Sequence, residues 1–354
     1  SVQPLKEERF YEDVVRLSPA DRLEAPTNVQ LTVTMKCHSN CRFCFEAVGA
    51  MWNRGVHRQI ERDKMELEEY KKLIRSFDRA GLRSLSLSGG EPTMEKELLL
   101  ELTAYALERR IDCSIVTNGY EFADRSFAED YFGLRRKHGY DNEIQQISCE
   151  SSDPELQRYL RPGVPLNRIL DSIQNLKELG ERPYICTIMN KLNFGEKEHL
   201  VQWSKDLGCC MWRTEDVRPV GEAAYHLREL LLTPRQIYDL YAFILKEKIK
   251  YQGNDFYERD GSSNMPYGIA FTVNDYRPPP YMDPYEKPRE GKRDPWGCTA
   301  ARRALTILPN GNTVPCGYVL AYPAQWGGNV REKDWKEIWK SDHVLNSWRH
   351  VQLG

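Results

Sequence analysis

The sequence predicts an α/β fold: a partial (β/α)6 barrel followed by a small C-terminal α+β unit made of a β-hairpin and helix. Two patterns predict it. From about residue 28, short β-branched and apolar runs alternate with amphipathic helical stretches, the pattern of βαβ units and a parallel sheet. Further on, "RALTILPNGNTVPCGYV" alternates around an Asn-Gly turn, a strong hairpin signal, and "EKDWKEIWKSDHVLNSWRH" reads as helix. Six βα units fall short of the eight of a complete barrel, so the barrel is read as open. Its working face is formed by the loops that follow the strand C-termini.

Residues 1–27 form a charged lead-in. The core spans 28–225, with strands expected at 29–35, 84–88, 113–117, 144–150, 183–189 and 209–214. Helices are expected near 64–80, 95–109, 123–137, 167–179 and 196–207. Residues 226–295 hold a further helix near 234–250 and the Pro- and Tyr-rich stretch "PPPYMDPYEKPREGKRDP". That composition resists regular structure and reads as a linker or as a cap over the site. Residues 296–354 form the C-terminal unit.

Composition narrows the function. The 354 residues are 40% hydrophobic and 29% charged, an ordinary profile for a chain able to build a sizeable core. A formal charge of −2 and short, mixed basic clusters give no nucleic-acid footprint. No apolar run approaches membrane-spanning length, and the N-terminus lacks the apolar centre of a signal peptide. The ten cysteines are irregularly spaced in a large chain. They suit a reducing cytoplasm with some thiols serving metal, rather than a secreted disulfide frame.

The stretch "MKCHSNCRFCFEA" follows the first expected strand and places Cys37, Cys41 and Cys44 in a Cys-x3-Cys-x2-Cys spacing on one loop. A loop can wrap three sulfurs around one centre. Thiolates are soft ligands that select zinc, copper(I) or iron–sulfur clusters. A structural zinc site needs a fourth ligand, for which His38 and His57 are near but lack zinc-finger spacing. A 4Fe–4S cluster held by three cysteines instead leaves one iron open. Two further segments end expected strands: "SLSLSGGEPTM", with Gly89, Gly90, Glu91 and Pro92, and "IVTNGY", with Thr117, Asn118 and Gly119. Glycines there permit a tight turn and close approach of backbone to a ligand. In "ISCESSDPELQRYLRPG", strand alternation places Gln146, Ser148 and Glu150 on one face and turns Cys149 away.

In these motifs and their order, the chain resembles the radical S-adenosylmethionine (SAM) superfamily. The resemblance implies that Cys37, Cys41 and Cys44, followed by the aromatic Phe45, ligate a 4Fe–4S cluster. It implies that Gly89, Gly90, Glu91 and Pro92 hold the amino group of SAM, that Thr117 and Asn118 lie beside it, and that Ser148 and Arg161 contact its ribose and carboxylate. Glu150 stands where many relatives have Asp. The implied chemistry is reductive cleavage of SAM to a 5′-deoxyadenosyl radical that takes hydrogen from an unactivated C–H bond, with an electron from a flavodoxin- or ferredoxin-type donor. One of the adjacent Cys209 and Cys210 is a candidate hydrogen donor, since neighbours on a strand point to opposite faces.

The C-terminal segment, with Cys298 and Cys316 around the hairpin, resembles the SPASM/Twitch extension, which implies an auxiliary iron–sulfur cluster. Relatives supply further cysteines beyond the last helix, so the expectation is an extension truncated at Gly354. Two substrate classes are open. The short lead-in favours a small natural product (a sugar, aminocyclitol or nucleoside) over a ribosomally made peptide. A non-enzymatic zinc or iron–sulfur protein explains the cysteines but not the other motifs.

Overall fold

The computed structural model describes residues 23–46, 55–250, 268–271 and 300–350. The Pro- and Tyr-rich stretch and Cys298 lie outside the described residues. The core elements run β1 Asn28–Thr34, α1 Val56–Arg62, α2 Leu67–Asp78, β2 Ser84–Gly89, α3 Lys96–Leu107 and β3 Asp112–Ile115. There follow α4 Arg125–Lys137, β4 Ile144–Ser148, α5 Pro154–Leu160, α6 Leu166–Glu178, β5 Arg182–Met189, α7 Lys197–Asp206 and β6 Met211–Asp216. Then come α8 Leu227–Leu230, α9 Pro234–Lys250, β7 Gly268–Phe271, β8 Ala304–Ile307, β9 Thr313–Val314, α10 Trp335–Ser341 and α11 His343–His350. Among the described residues no helix is long and apolar enough to cross a membrane.

The strands form two sheets, ordered β3-β2-β1-β8-β9 and β4-β5-β6-β7. All pairings are parallel except β8 with β9. The expected βαβ units and open barrel are present as an arc divided between β3 and β4. Two pairings extend it. β7 adds to β6, and β8, the first strand of the hairpin, lies beside β1 with Gln30 opposite Thr306. The hairpin turn holds Gly311 at φ +92°, a conformation that favours glycine.

Alternation along each strand separates two environments. Val29, Leu31 and Val33 of β1, Leu85 and Leu87 of β2, Ile147 of β4 and Ile185 and Met189 of β5 enter the main apolar core. Helices cover that core with matching stripes. In α2, Tyr70, Leu73, Ile74 and Phe77 are buried at i, i+3, i+4 and i+7. The helix starts at a capping box formed by Glu66 and Glu69. Each such large side chain contributes about 1.5–3 kcal/mol relative to exposure. The alternate positions, including Gln30, Ser88, Gln146, Ser148, Arg213 and Glu215, face the concave side. The lumen face is therefore mixed, with these polar groups beside a small apolar cluster of Tyr184, Cys186 and Met211.

The C-terminal helices dock on this scaffold. Trp335 lies 4.4 Å from Phe77, ring centroid to centroid, and donates Nε1–H to Ser76 Oγ at 2.7 Å. Trp339 donates to the Leu23 carbonyl at 2.8 Å. The hairpin and α10 thus share the core of the βα units.

Candidate functional site

Three loops leave the C-terminal ends of β1, β2 and β3 and meet at one place. The first carries the cysteines. It begins where Glu61 of α1 accepts from Thr34 Oγ1 at 2.9 Å and from the Met35 amide at 2.7 Å. It is pinned to the turn after α5, because Asn40 and Arg42 amides donate to the Pro162 and Leu160 carbonyls at 3.2 and 3.1 Å. That turn contains Gly163 at φ +88°, where a Cβ would stand 2.1 Å from the His38 carbonyl oxygen. Only glycine lets the two loops close.

The sulfurs are arranged as acceptors. The Ser39 amide donates to Cys37 Sγ at 3.3 Å, and Arg161 Nη1 donates to Cys41 Sγ at 3.2 Å. Burial pushes the Cys37 and Cys41 thiols up, and the Arg161 guanidinium opposes this at Cys41. A bound metal centre supplies the positive charge that drives such thiols to thiolates. Zinc would need a closed set of converging ligands. Among the described residues no group of three or more His, Cys, Asp or Glu converges on a single-ion site. His38 is instead engaged with Asn118 Nδ2 at 3.3 Å and against the Tyr120 ring at 4.3 Å, with burial holding its imidazole below the ordinary range. Three thiols on one loop, two of them hydrogen-bonded, fit a cluster that keeps one iron open.

Gly89 and Gly90 run against the start of the cysteine loop. The Gly90 amide donates to the Thr34 carbonyl at 2.9 Å, and a Cβ on Gly90 would lie 2.4 Å from the Lys36 carbonyl oxygen. Glu91 is buried, and its carboxylate is taken up by the chain itself. Oε1 accepts from Thr93 N, Thr93 Oγ1 and Thr117 Oγ1 at 3.1, 2.6 and 2.7 Å; Oε2 accepts from the Asn118 amide at 2.8 Å. Its place is to tie the second loop to the third. Pro92 opens the short 3-10 turn that follows.

Ser148 ends β4 opposite Cys186 of β5, both buried. Glu150 is fully buried. Its Oε1 accepts from Arg161 Nε and Nη2 at 3.1 and 2.5 Å, and its Oε2 from the Ile188 amide at 2.7 Å. Burial pushes the Glu150 carboxyl up, and Arg161 opposes it. Arg161 thus joins Glu150 to Cys41. Phe43, which the motif reading passed over for Phe45, is buried beneath Arg161, with the guanidinium 5.2 Å from its ring centroid. Phe45 faces the C-terminal unit, and its ring lies 4.9 Å from that of Tyr318, two residues beyond Cys316.

Two sequence candidates lie elsewhere. Cys209 and Cys210 precede β6, and the Cys210 amide donates to the Pro183 carbonyl at the N-terminal end of β5. This is the end of the arc opposite the cysteine loop, a strand length away. The structure does not bring either thiol to the site. Cys149 enters the outer core, as alternation required.

A row of polar groups crosses the lumen, joining Gln146, which strand alternation placed there, to Tyr184, Arg213 and Glu215, which no motif marked. Gln146 Oε1 accepts from Tyr184 Oη at 3.0 Å and from Arg213 Nη1 at 3.3 Å, and Arg213 Nη2 pairs with Glu215 at 2.5 Å. The period-two placement of Arg213 and Glu215 in "MWRTED" was the available signal. A cavity of about 230 Å³ opens between β3 and β4, lined among others by Ser114, Val116, Arg135, Gln146, Tyr184 and Arg213.

Comparison with known proteins agrees with this arrangement. The family model described as "Radical SAM superfamily" matches residues 31–203, and the SPASM model, "Iron-sulfur cluster-binding domain", matches 298–353. A probable GTP 3′,8-cyclase of Thermococcus kodakarensis is 27% identical over 209 residues, 58% of this chain and 62% of that protein. The chain thus covers less than two thirds of that relative's length. A PqqA peptide cyclase of Rhizobium meliloti is 22% identical over 334 residues, covering 93% of this chain and 77% of that one. Among solved structures, SuiB of Streptococcus suis bound to its precursor peptide SuiA superposes with a TM-score of 0.67 at 19% identity, covering 99% of this chain and 73% of that one. At that identity the likeness shows the fold.

Proposed function

The chain belongs to the radical SAM superfamily and carries a SPASM iron–sulfur domain, and on that premise we propose that it modifies a peptide at an unactivated C–H bond. It is an enzyme, with a 4Fe–4S cluster and SAM as cofactors and auxiliary iron–sulfur binding in the SPASM domain. When bound, the cluster and SAM supply a hydrogen-abstracting radical under reduction, for which a flavodoxin- or ferredoxin-type protein is the proposed donor. The protein's part is to hold these groups, orient the substrate and keep water away. Cys37, Cys41 and Cys44 would hold the cluster. The exposed backbone of Gly89 and Gly90, with Thr117, Asn118 and Ser148, would bound the SAM pocket. Cys316 would serve the auxiliary cluster, together with Cys298.

The charge balance of the lumen carries the substrate reading. Both guanidiniums on the cavity are already ion-paired, Arg135 with Glu143 at 3.0 Å and Arg213 with Glu215 at 2.5 Å. A nucleoside triphosphate calls for guanidinium forks or lysines not already neutralised. Peptide amides ask instead for neutral donors and acceptors, and the lining holds Ser114, Gln146 and Tyr184, the last two bonded to each other at 3.0 Å in this structure. Coverage points the same way, since the match to the PqqA peptide cyclase runs across 93% of the chain and that to the GTP cyclase across 58%.

The test is anaerobic. The reconstituted enzyme, SAM and dithionite are incubated with synthetic peptides encoded beside its gene, with GTP, or with sugars and aminocyclitols. A Cys37→Ala, Cys41→Ala, Cys44→Ala variant serves as control. The expected result is 5′-deoxyadenosine with a mass change in a peptide, absent from the control. Product from GTP or a sugar, and none from any peptide, overturns the peptide reading.

A further inference from the structure

The arc ends in β8 and β9 beyond β1 and in β7 beyond β6, and one side chain from the C-terminal unit reaches both the β1 loop and β6. Tyr318 follows Cys316 and Gly317 in the C-terminal unit. Its ring meets Phe45, on the cysteine loop after β1, at 4.9 Å and an interplanar angle of 57°. Its hydroxyl reaches Glu215 Oε2, on the lumen face of β6, at 3.4 Å. Gly317 lies close against the same ring: a Cβ there would stand 3.3 Å from Phe45 Cε2, a tight contact, and 3.9 Å from Gln30 Nε2 on the lumen face of β1. A second lacing runs beside it. The Glu222 amide donates to the Cys44 carbonyl at 2.8 Å, and Gly221 sits where a Cβ would be 2.4 Å from the Cys44 and Phe45 carbonyl oxygens.

We infer that Tyr318, though it belongs to the C-terminal unit, is a positioning residue for the SAM site in the core, acting through Phe45 on the loop that carries Cys44. The reasoning is one of preorganisation. A loop must hold three sulfurs and one face of a pocket in a fixed arrangement; Cys41 and Phe43 anchor its middle in a buried cluster with Leu160, Val217 and Leu230, whereas Phe45 at its end meets Tyr318. An aromatic partner supplied from outside, itself held by Glu215, removes conformations that the loop would otherwise lose on binding SAM. Because Glu215 also pairs with Arg213 in the lumen, Tyr318 joins the cofactor side to the substrate side. The inference depends on the cluster and SAM, and not on which substrate is used.

The experiment titrates SAM into the reduced, reconstituted holoenzyme and follows the change in the electron paramagnetic resonance of the cluster. Tyr318→Ala is expected to raise the Kd roughly two- to tenfold, the range an aromatic pair contributes, at unchanged iron content. Tyr318→Phe keeps the ring and loses only the 3.4 Å contact to Glu215, so it is expected to show a smaller rise in Kd than the ring-less variant. In a double-mutant cycle, Phe45→Leu and Tyr318→Ala are expected to be non-additive, because they remove the same contact. Tyr318→Leu, which keeps bulk without the ring, replaces Tyr318→Ala if that variant does not fold. An unchanged Kd in the ring-less variant, a Tyr318→Phe defect equal to its defect, or additive effects of the two sites would each overturn the inference.

Discussion

Arg161 places Nη1 3.2 Å from the Sγ of Cys41 while its Nε and Nη2 hold the carboxylate of Glu150. One buried guanidinium therefore answers to two acceptors, a thiol of the Cys-x3-Cys-x2-Cys loop and a fully buried carboxyl. Removing one partner of a buried pair leaves the other's charge uncompensated. Arg161→Met is expected to cost about 3–5 kcal/mol of stability. Arg161→Met combined with Glu150→Gln is expected to recover part of that stability but not the iron content, because Cys41 keeps the Ser39 hydroxyl at 3.1 Å but still lacks the guanidinium. Denaturant unfolding and iron analysis separate the two effects.

Glu91 is expected to act on SAM binding through Thr117 and Asn118. All four of its accepted hydrogen bonds come from the chain, so Glu91→Gln turns an amide NH2 toward a donor. Loss of about 1.5–3 kcal/mol is expected, the scale of a hydrogen bond to a charged group. Thermal unfolding of the apoprotein checks it without cofactor. An unchanged melting temperature would return Glu91 to a direct ligand role.

The glycines divide by what a methyl group would meet. At Gly90 a Cβ would lie 2.4 Å from a backbone carbonyl oxygen, and backbone cannot turn aside. Gly90→Ala is expected to destabilise the protein by about 1–3 kcal/mol, as overpacking does. Gly133, in α4, has nothing within 4 Å of a Cβ. Gly133→Ala is expected to stabilise by up to about 1 kcal/mol through helix propensity. Parallel thermal melts of the two variants make the comparison.

Burial pushes the thiols of Cys113, Cys186 and Cys209 up to about 12 and that of Cys210 up to about 11. A raised thiol pKa keeps the proton at neutral pH, and only the thiolate attacks electrophiles. Iodoacetamide at pH 8 is therefore expected to leave these four unmodified in the native holoprotein and to label them after unfolding. Mass mapping reads this directly. Native labelling of Cys210 would place it in a more open setting than the structure gives, and would reopen its candidacy as a hydrogen donor.

The loops that carry chemistry were legible because their signals are local. Cys37, Cys41 and Cys44 share one loop by spacing alone. Gly89 and Gly90, Thr117 and Asn118, and Ser148 follow strands that alternation announces, and the same alternation turned Cys149 outward. Local spacing fixes which side chains share a face or a turn whatever the rest of the chain does. What it cannot fix is which distant segments pair. The insertion of β8 beside β1 depends on contacts between residues far apart in sequence, as do the docking of Trp335 on Phe77 and the reach of Tyr318 to Phe45 and Glu215. The protein partners of Glu91 and Arg161 were illegible for the same reason, since they lie on other loops. Cys209 and Cys210 lie far from the site because they come at the N-terminal end of β6, whereas the site gathers at the strand C-termini. Sequence determined the cofactor chemistry and the layered fold. Tertiary structure decided which groups hold one another in place, since long-range pairing is set by packing summed over the whole core.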